Sequence, residues 1–128
     1  MKSEIEAISP FVDELMLKIK EIRCDPGSEF GIELALREAL ANAVMHGNHE
    51  DPQKKVHVRC MCEEGQGVSI VVRDEGPGFD PTKVPDPLAP ENLDAEHGRG
   101  ILLMKQFMDE IHFERGGTEV HMRKGPST

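Results

Sequence analysis

The sequence predicts a two-layer α+β sandwich, a mainly antiparallel sheet covered on one face by about three helices. Three observations lead there. The first third of the chain holds segments with apolar residues three and four positions apart. Strictly alternating runs follow, and they come in pairs joined by short glycine-containing connections, which pair strands antiparallel. The order along the chain is helix, helix, hairpin, loop, helix, hairpin.

The first helix is expected over Pro10 to Arg23, where Phe11, Leu15, Ile19 and Ile22 form one stripe with charges opposite. Asp25, Pro26 and Gly27 break it. Ser28 reads as the N-cap of a second helix, Glu29 to about His46, with Gly47 as its C-cap. A polar turn runs through Asn48, Glu50, Asp51 and Pro52. In the first strand Val56, Val58, Cys60 and Cys62 alternate with His57, Arg59 and Met61. Glu63 to Gly67 connects it to a second, where Val68, Ile70 and Val72 alternate with Ser69, Val71 and Arg73. Asp80 to His97 contains Pro81, Pro85, Pro87 and Pro90 and has no period, so it reads as a long surface loop and a lid. A third helix is expected after Gly100, with Leu103, Met104, Phe107 and Met108 inward. Strands at Ile111–Glu114 and Thr118–Arg123, joined through Gly116-Gly117, close the chain.

A length of 128 residues suits one domain, 1–128, and no internal repeat is visible. Fifteen basic residues stand against 24 acidic ones, a net charge of −9. A phosphate backbone repels such a surface, so direct nucleic-acid binding is not expected, whereas a basic partner protein would be attracted. Trp and Tyr are absent, which removes the usual base-stacking platform. No apolar run approaches the roughly 20 residues that span a bilayer, and Met1 to Pro10 lacks a signal-sequence pattern. Cys24, Cys60 and Cys62 are an odd count with a C-x-C pair, neither a disulfide framework nor a zinc knuckle. They read as reduced thiols of a cytoplasmic protein, with Cys60 and Cys62 facing the core.

Four features carry chemistry. Glu38 and Asn42 are one turn apart on one face of an otherwise apolar helix. A carboxylate and an amide there need partners or a ligand: the Asn42 oxygen suits Mg²⁺, and Glu38 suits a general base. The alternative is a solvated i, i+4 pair. Asp74 ends a strand with the parity of Val68, Ile70 and Val72, so it points to the apolar face, where an adenine amine could donate to it. Gly76 and Gly78 let the following backbone approach a flat ligand; a plain turn is the competing reading. Gly98, Arg99 and Gly100 lead into a helix, where backbone N–H groups and a guanidinium could hold phosphates; a flexible hinge is the alternative. Thr118 has the parity of Val120 and Met122 and would turn its hydroxyl inward, although a β-branched Thr in a strand is common anyway. His46, His49 and His57 lack a clear metal-ligand spacing and read as solvated or locally bonded.

In this order the features resemble the Bergerat-fold (GHKL) ATP-binding domain. Glu38-Ala39-Leu40-Ala41-Asn42-Ala43 resembles its N box, Asp74-Glu75-Gly76-Pro77-Gly78 its first glycine box and Gly98-Arg99-Gly100 its second. The likeness covers about Ser28 to Lys124. More narrowly, Ala43-Val44-Met45-His46-Gly47-Asn48, Arg73-Asp74-Glu75-Gly76-Pro77-Gly78-Phe79 and Gly100-Ile101-Leu102-Leu103-Met104 resemble bacterial anti-sigma factor serine/threonine kinases. The resemblance implies ATP and Mg²⁺ as cofactors. It implies Glu38 as base, Asn42 as metal ligand, Asp74 as adenine reader, and Gly76, Gly78, Gly98, Arg99, Gly100, Ile101 and Thr118 around the nucleotide. The implied partners are a STAS-domain anti-anti-sigma protein and a sigma factor, and a homodimer is allowed. Two features depart from the pattern. The strand that usually precedes the first helix is short or missing, and Asp94-Ala95-Glu96-His97 lacks an Arg that some members carry, leaving Arg99 to replace it. The competing readings are a histidine-kinase catalytic domain and an ATP-binding module without phosphotransfer. A dimerising helix with a phospho-accepting His is not expected ahead of the domain, and Glu38 suits activation of a neutral hydroxyl.

Overall fold

The computed structural model describes residues 1–77 and 95–126, with side chains described outside 95–100. Helix α1 spans Ile8–Ile22, α2 Glu29–Asn42 and α3 Ala95–Phe107. Strands β1 (His57–Cys62), β2 (Val68–Arg73), β3 (Glu110–Glu114) and β4 (Glu119–Lys124) form one antiparallel sheet in the order β1-β2-β4-β3. The predicted fold class and element order hold.

Alternation builds the two layers. Along β2 the burial strictly alternates, with Val68, Ile70 and Val72 inside. They lie beside Cys62, Cys60 and Val58 of β1 and beside Lys124, Met122 and Val120 of β4. The helices cover that face through Val12, Met16, Ile19, Ile32, Leu36, Leu40, Ile101 and Met104, all essentially inaccessible to water. Each such side chain contributes roughly 1.5–3 kcal/mol of hydrophobic free energy. Helix α2 packs against both α1 and α3, which is why its sequence is apolar nearly all round.

Several details differ from the sequence reading. The buried stripe of α1 is Ile8, Val12, Met16 and Ile19; Phe11 and Leu15 pack at its margin and Ile22 is exposed. The helix begins two residues before Pro10, and the added residues bring Ile8 into the i, i+4 series. Ser28 makes no side-chain cap bond; Glu29 instead accepts the Gly27 N–H at 2.7 Å. Beyond Asn42 the chain does not continue as α-helix but as a π turn over Ala43–Gly47. Helix α3 starts at Ala95, so the backbone of Gly98, Arg99 and Gly100 is helical rather than a loop leading into a helix. The lid assigned to Asp80–His97 falls outside the described residues up to position 94.

Cys24 and Cys62 form a disulfide, with Cα atoms 5.4 Å apart, which corrects the reading of three reduced thiols. The residues are 38 apart and meet because the β1–β2 turn folds back on the α1–α2 link. There the N–H groups of Gly65 and Gly67 donate to the carbonyls of Arg23 and Cys24 at 2.9 and 2.8 Å. Cys60 remains a thiol, and burial raises its pKa. Ahead of α1, Met1 and Val56 exchange N–H and carbonyl groups at 2.9 Å, and Lys2 bridges Lys55. No helix among the described residues is long and apolar enough to cross a membrane.

Candidate functional site

The site grows from the C-terminal end of α2. Glu38 and Asn42 lie one turn apart on α2 and are half-buried. Neither side chain hydrogen-bonds another described residue. The π turn after Asn42 widens the helix by one residue, a feature that recurs at functional sites. It closes with the Asn48 N–H donating to Ala43 O at 2.8 Å. Its last residue, Gly47, lies under the end of β2.

Asp74 follows β2 and faces the helix side, as its parity predicts. Its carboxylate rests against the Gly47 backbone. A methyl group on Gly47 would collide with that carboxylate, and one on Gly76 would collide with the Gly47 carbonyl. Only glycine at both positions allows the β2 exit to close on the helix end. The Gly76 N–H donates to Asp74 Oδ1 at 2.8 Å, and the Asp74 N–H donates to Thr118 O at 2.9 Å. Burial pushes the Asp74 carboxyl upward, against the Gly76 bond and the charges of Lys54 and His49, which pull it down.

Sequence reasoning missed Asn48, which holds this arrangement together. It is fully buried. Its Nδ2 donates to Ser3 Oγ at 3.1 Å and to Lys55 O at 3.0 Å, while its Oδ1 accepts the Glu75 N–H at 2.7 Å. Glu75 in turn accepts the Lys55 N–H at 3.0 Å and pairs with His57 at 2.8 Å. These bonds, the one from His57 first, hold the Glu75 carboxyl below its usual range. The sequence signal was an Asn just beyond a helix-ending Gly, and it reads as an ordinary turn residue.

The remaining predicted residues fare differently. Gly76 is in place, while Gly78 lies outside the described residues. Gly98, Arg99 and Gly100 lie early in α3, where the backbone alone is described. Ile101 is fully buried in the core, so its side chain is packing. Thr118 precedes β4 in a helical conformation, and its hydroxyl donates to Arg115 O at 2.9 Å instead of turning inward. What it offers Asp74 is its carbonyl.

The arrangement fits a nucleotide with its metal. A carboxylate acceptor sits in a cradle that any added Cβ would fill, and a second carboxylate and an amide stand on α2 without a hydrogen bond to any described residue. Residues 1–124 match the histidine kinase-like ATPase domain, and the chain belongs to that family. Curated relatives include the anti-sigma F factors of Oceanobacillus iheyensis, 32% identical, and Geobacillus stearothermophilus, 36% identical, each over 73% of this chain and 66% of the relative. The chain thus spans just under two-thirds of the length of these relatives. The anti-sigma F factor of Clostridium novyi is 29% identical over 92% of this chain and 80% of that protein. Among solved structures, the histidine kinase domain of the blue-light activated histidine kinase from Erythrobacter litoralis superposes with a TM-score of 0.56. It is 19% identical and covers 91% of this chain and 60% of that one, a shared fold.

Proposed function

We propose that the chain is an ATP-dependent protein serine/threonine kinase of the anti-sigma factor type. Its substrate is a serine on a STAS-domain anti-anti-sigma protein, and it also binds a sigma factor in the cytoplasm. One observation carries the reading. The helix bearing Glu38 and Asn42 runs on through the π turn to Gly47, against which the Asp74 carboxylate rests. From Glu38 to Gly47 is about 13 Å along a helix axis, comparable to an extended nucleotide from base to terminal phosphate.

The residues then divide the work. Asp74 accepts from the adenine amine, and the glycine approach of Gly47 and Gly76 shapes a slot for a flat base. Asn42 offers an amide oxygen to Mg²⁺, which when bound neutralises phosphate charge. Glu38 takes the proton of the attacking serine hydroxyl, a weak nucleophile without a base. The first turn of α3 offers its unpaired backbone N–H groups to the phosphates, Arg99 just beyond it offers a guanidinium, and Gly98 and Gly100 add no side chain to block the approach. Gly78 and Thr118 border the adenine end. The anti-sigma F factor names of the relatives support the partner assignment, and the net charge of −9 favours a basic partner surface.

The test is transfer from γ-labelled ATP with Mg²⁺ to candidate STAS proteins. Phosphoserine on the partner is the expected product. ATP binding without transfer to any partner would replace the kinase with a nucleotide-sensing module, and acid-labile phosphohistidine would replace it with a histidine kinase.

A further inference from the structure

The face of the sheet opposite the helices carries a second cluster of chemistry. In the β3–β4 hairpin His112 lies directly across from His121, and Glu114 directly across from Glu119. The period of two puts all four side chains on the open face, away from α2 and the nucleotide residues. The imidazole rings stack at 4.8 Å with their planes 12° apart. Their Nε2 atoms converge on one carboxylate: Glu114 reaches His112 at 3.2 Å and His121 at 3.1 Å. Glu119 lies 2.7 Å from the same His121 nitrogen, and Arg115 holds its other oxygen at 3.1 Å.

Two carboxylates facing each other across a hairpin repel, and Arg115 answers only the outer oxygen of Glu119, so a cation held between Glu114 and the two imidazoles would add to what neutralises the pair. One donor atom each from His112, Glu114 and His121 falls within 4.8 Å of the others. Two imidazole nitrogens and one carboxylate oxygen are the donor set of a tetrahedral zinc site with an open fourth position. We propose that His112, Glu114 and His121 form a binding site for a single zinc-class divalent cation. The fourth position goes to Glu119 or to water. The ion would replace the direct imidazole–carboxylate contacts and cross-link β3 to β4. This site stands apart from the proposed kinase chemistry and does not depend on it.

The test titrates zinc chloride into the protein without nucleotide and without reductant, so that Cys24 and Cys62 stay paired. Calorimetry is expected to show one equivalent bound. Cobalt(II) in its place is expected to give the intense visible absorption of a tetrahedral N/O site. His112→Gln and Glu114→Gln alter exposed side chains, so both variants should fold, which circular dichroism checks. Each is expected to weaken zinc binding by at least about tenfold, the low end even for loss of an outer-sphere partner, and to abolish the cobalt spectrum. Absence of zinc binding to the parent protein would overturn the proposal. So would unchanged binding in both variants, which would hand the metal to His46, His49, His57 or His97. In either case the cluster would be a plain set of imidazole–carboxylate pairs.

Discussion

The two ends of the candidate nucleotide site are built in opposite ways. At the Asp74 end the described polar residues are wired to other parts of the fold. Asp74 is held by Gly76 and Thr118, and Glu75 by Asn48, Lys55 and His57. At the Glu38 end two polar side chains stand on a helix without a hydrogen bond to any described residue. The contrast matches two different tasks. Reading a flat base needs an acceptor fixed in place before the ligand arrives, since rigidity lowers the cost of binding. Moving a proton and holding a metal need groups not already committed to the protein.

If that division is right, mutations at the two ends separate rate from affinity and from stability. The largest effect belongs to Glu38→Gln, which keeps shape and abolishes the base. Transfer to a STAS partner is expected to fall by on the order of 10²–10⁴, with ATP affinity by calorimetry within a few-fold of the parent. Normal transfer would make Glu38 structural.

Next comes Asp74→Asn. With the amide oxygen kept on the Gly76 N–H, an NH2 donor faces the adenine amine in place of a carboxylate oxygen, which costs about 1–3 kcal/mol, or roughly ten- to hundredfold in ATP affinity. Stability should move the other way. Burial raises the Asp74 pKa in the fold above its unfolded value. The associated stability is present below the unfolded carboxylate range and is lost as pH rises through the raised folded pKa. Above the raised folded pKa the ionised group is therefore a cost to the fold. The Asn variant should melt at or above the parent temperature in differential scanning, and a lower melting point would show Asp74 to be a structural anchor.

Asn48→Ala tests the wiring itself. It strands the Glu75 N–H and the Lys55 carbonyl, a loss of about 1–3 kcal/mol in urea unfolding. ATP affinity should weaken because the Asp74–Gly76 segment loses its tie, while the transfer rate at saturating ATP should hold. The smallest effect is a pH dependence at Glu75. Its lowered pKa adds stability above the unfolded carboxylate value of about 4.3, lost as pH falls through the lower folded value. Glu75→Gln should lower the urea midpoint at neutral pH and converge with the parent in acid.

Much of the fold was legible because its signals are local. Val68, Ile70 and Val72 alternate, and that parity also oriented Asp74 towards the helices. Helical spacing put Glu38 and Asn42 on one face of a helix, and α2 carries both. What escaped depends on contacts between distant residues or on hydrogen-bond shifts that leave no pattern. Ala43-Val44-Met45-His46 are ordinary helix residues, and nothing in their identity marks the π turn. Asn48 is buried only because Ser3 and Lys55 arrive beside it. Cys24 and Cys62 meet only after the hairpin folds back on the α1–α2 link. The start of α3 was misplaced because Gly98 and Gly100 read as breakers, whereas the helix accommodates both. His112, Glu114 and His121 share a face by strand parity, but only the hairpin register brings them together.

Asn48 also has a consequence for the order of folding. Its bonds join residues 45 and 27 positions away, to Ser3 and Glu75. Contacts of such long sequence separation close large loops and form slowly. The Asp74–Gly76 segment can settle only after the amino-terminal stretch and the β1–β2 pair have both found Asn48. Secondary structure followed by stopped-flow circular dichroism should therefore recover before a fluorescent nucleotide analogue can bind. In a chain emerging residue by residue, competence for ATP would arrive late, and it would report that the first and central parts of the domain have met.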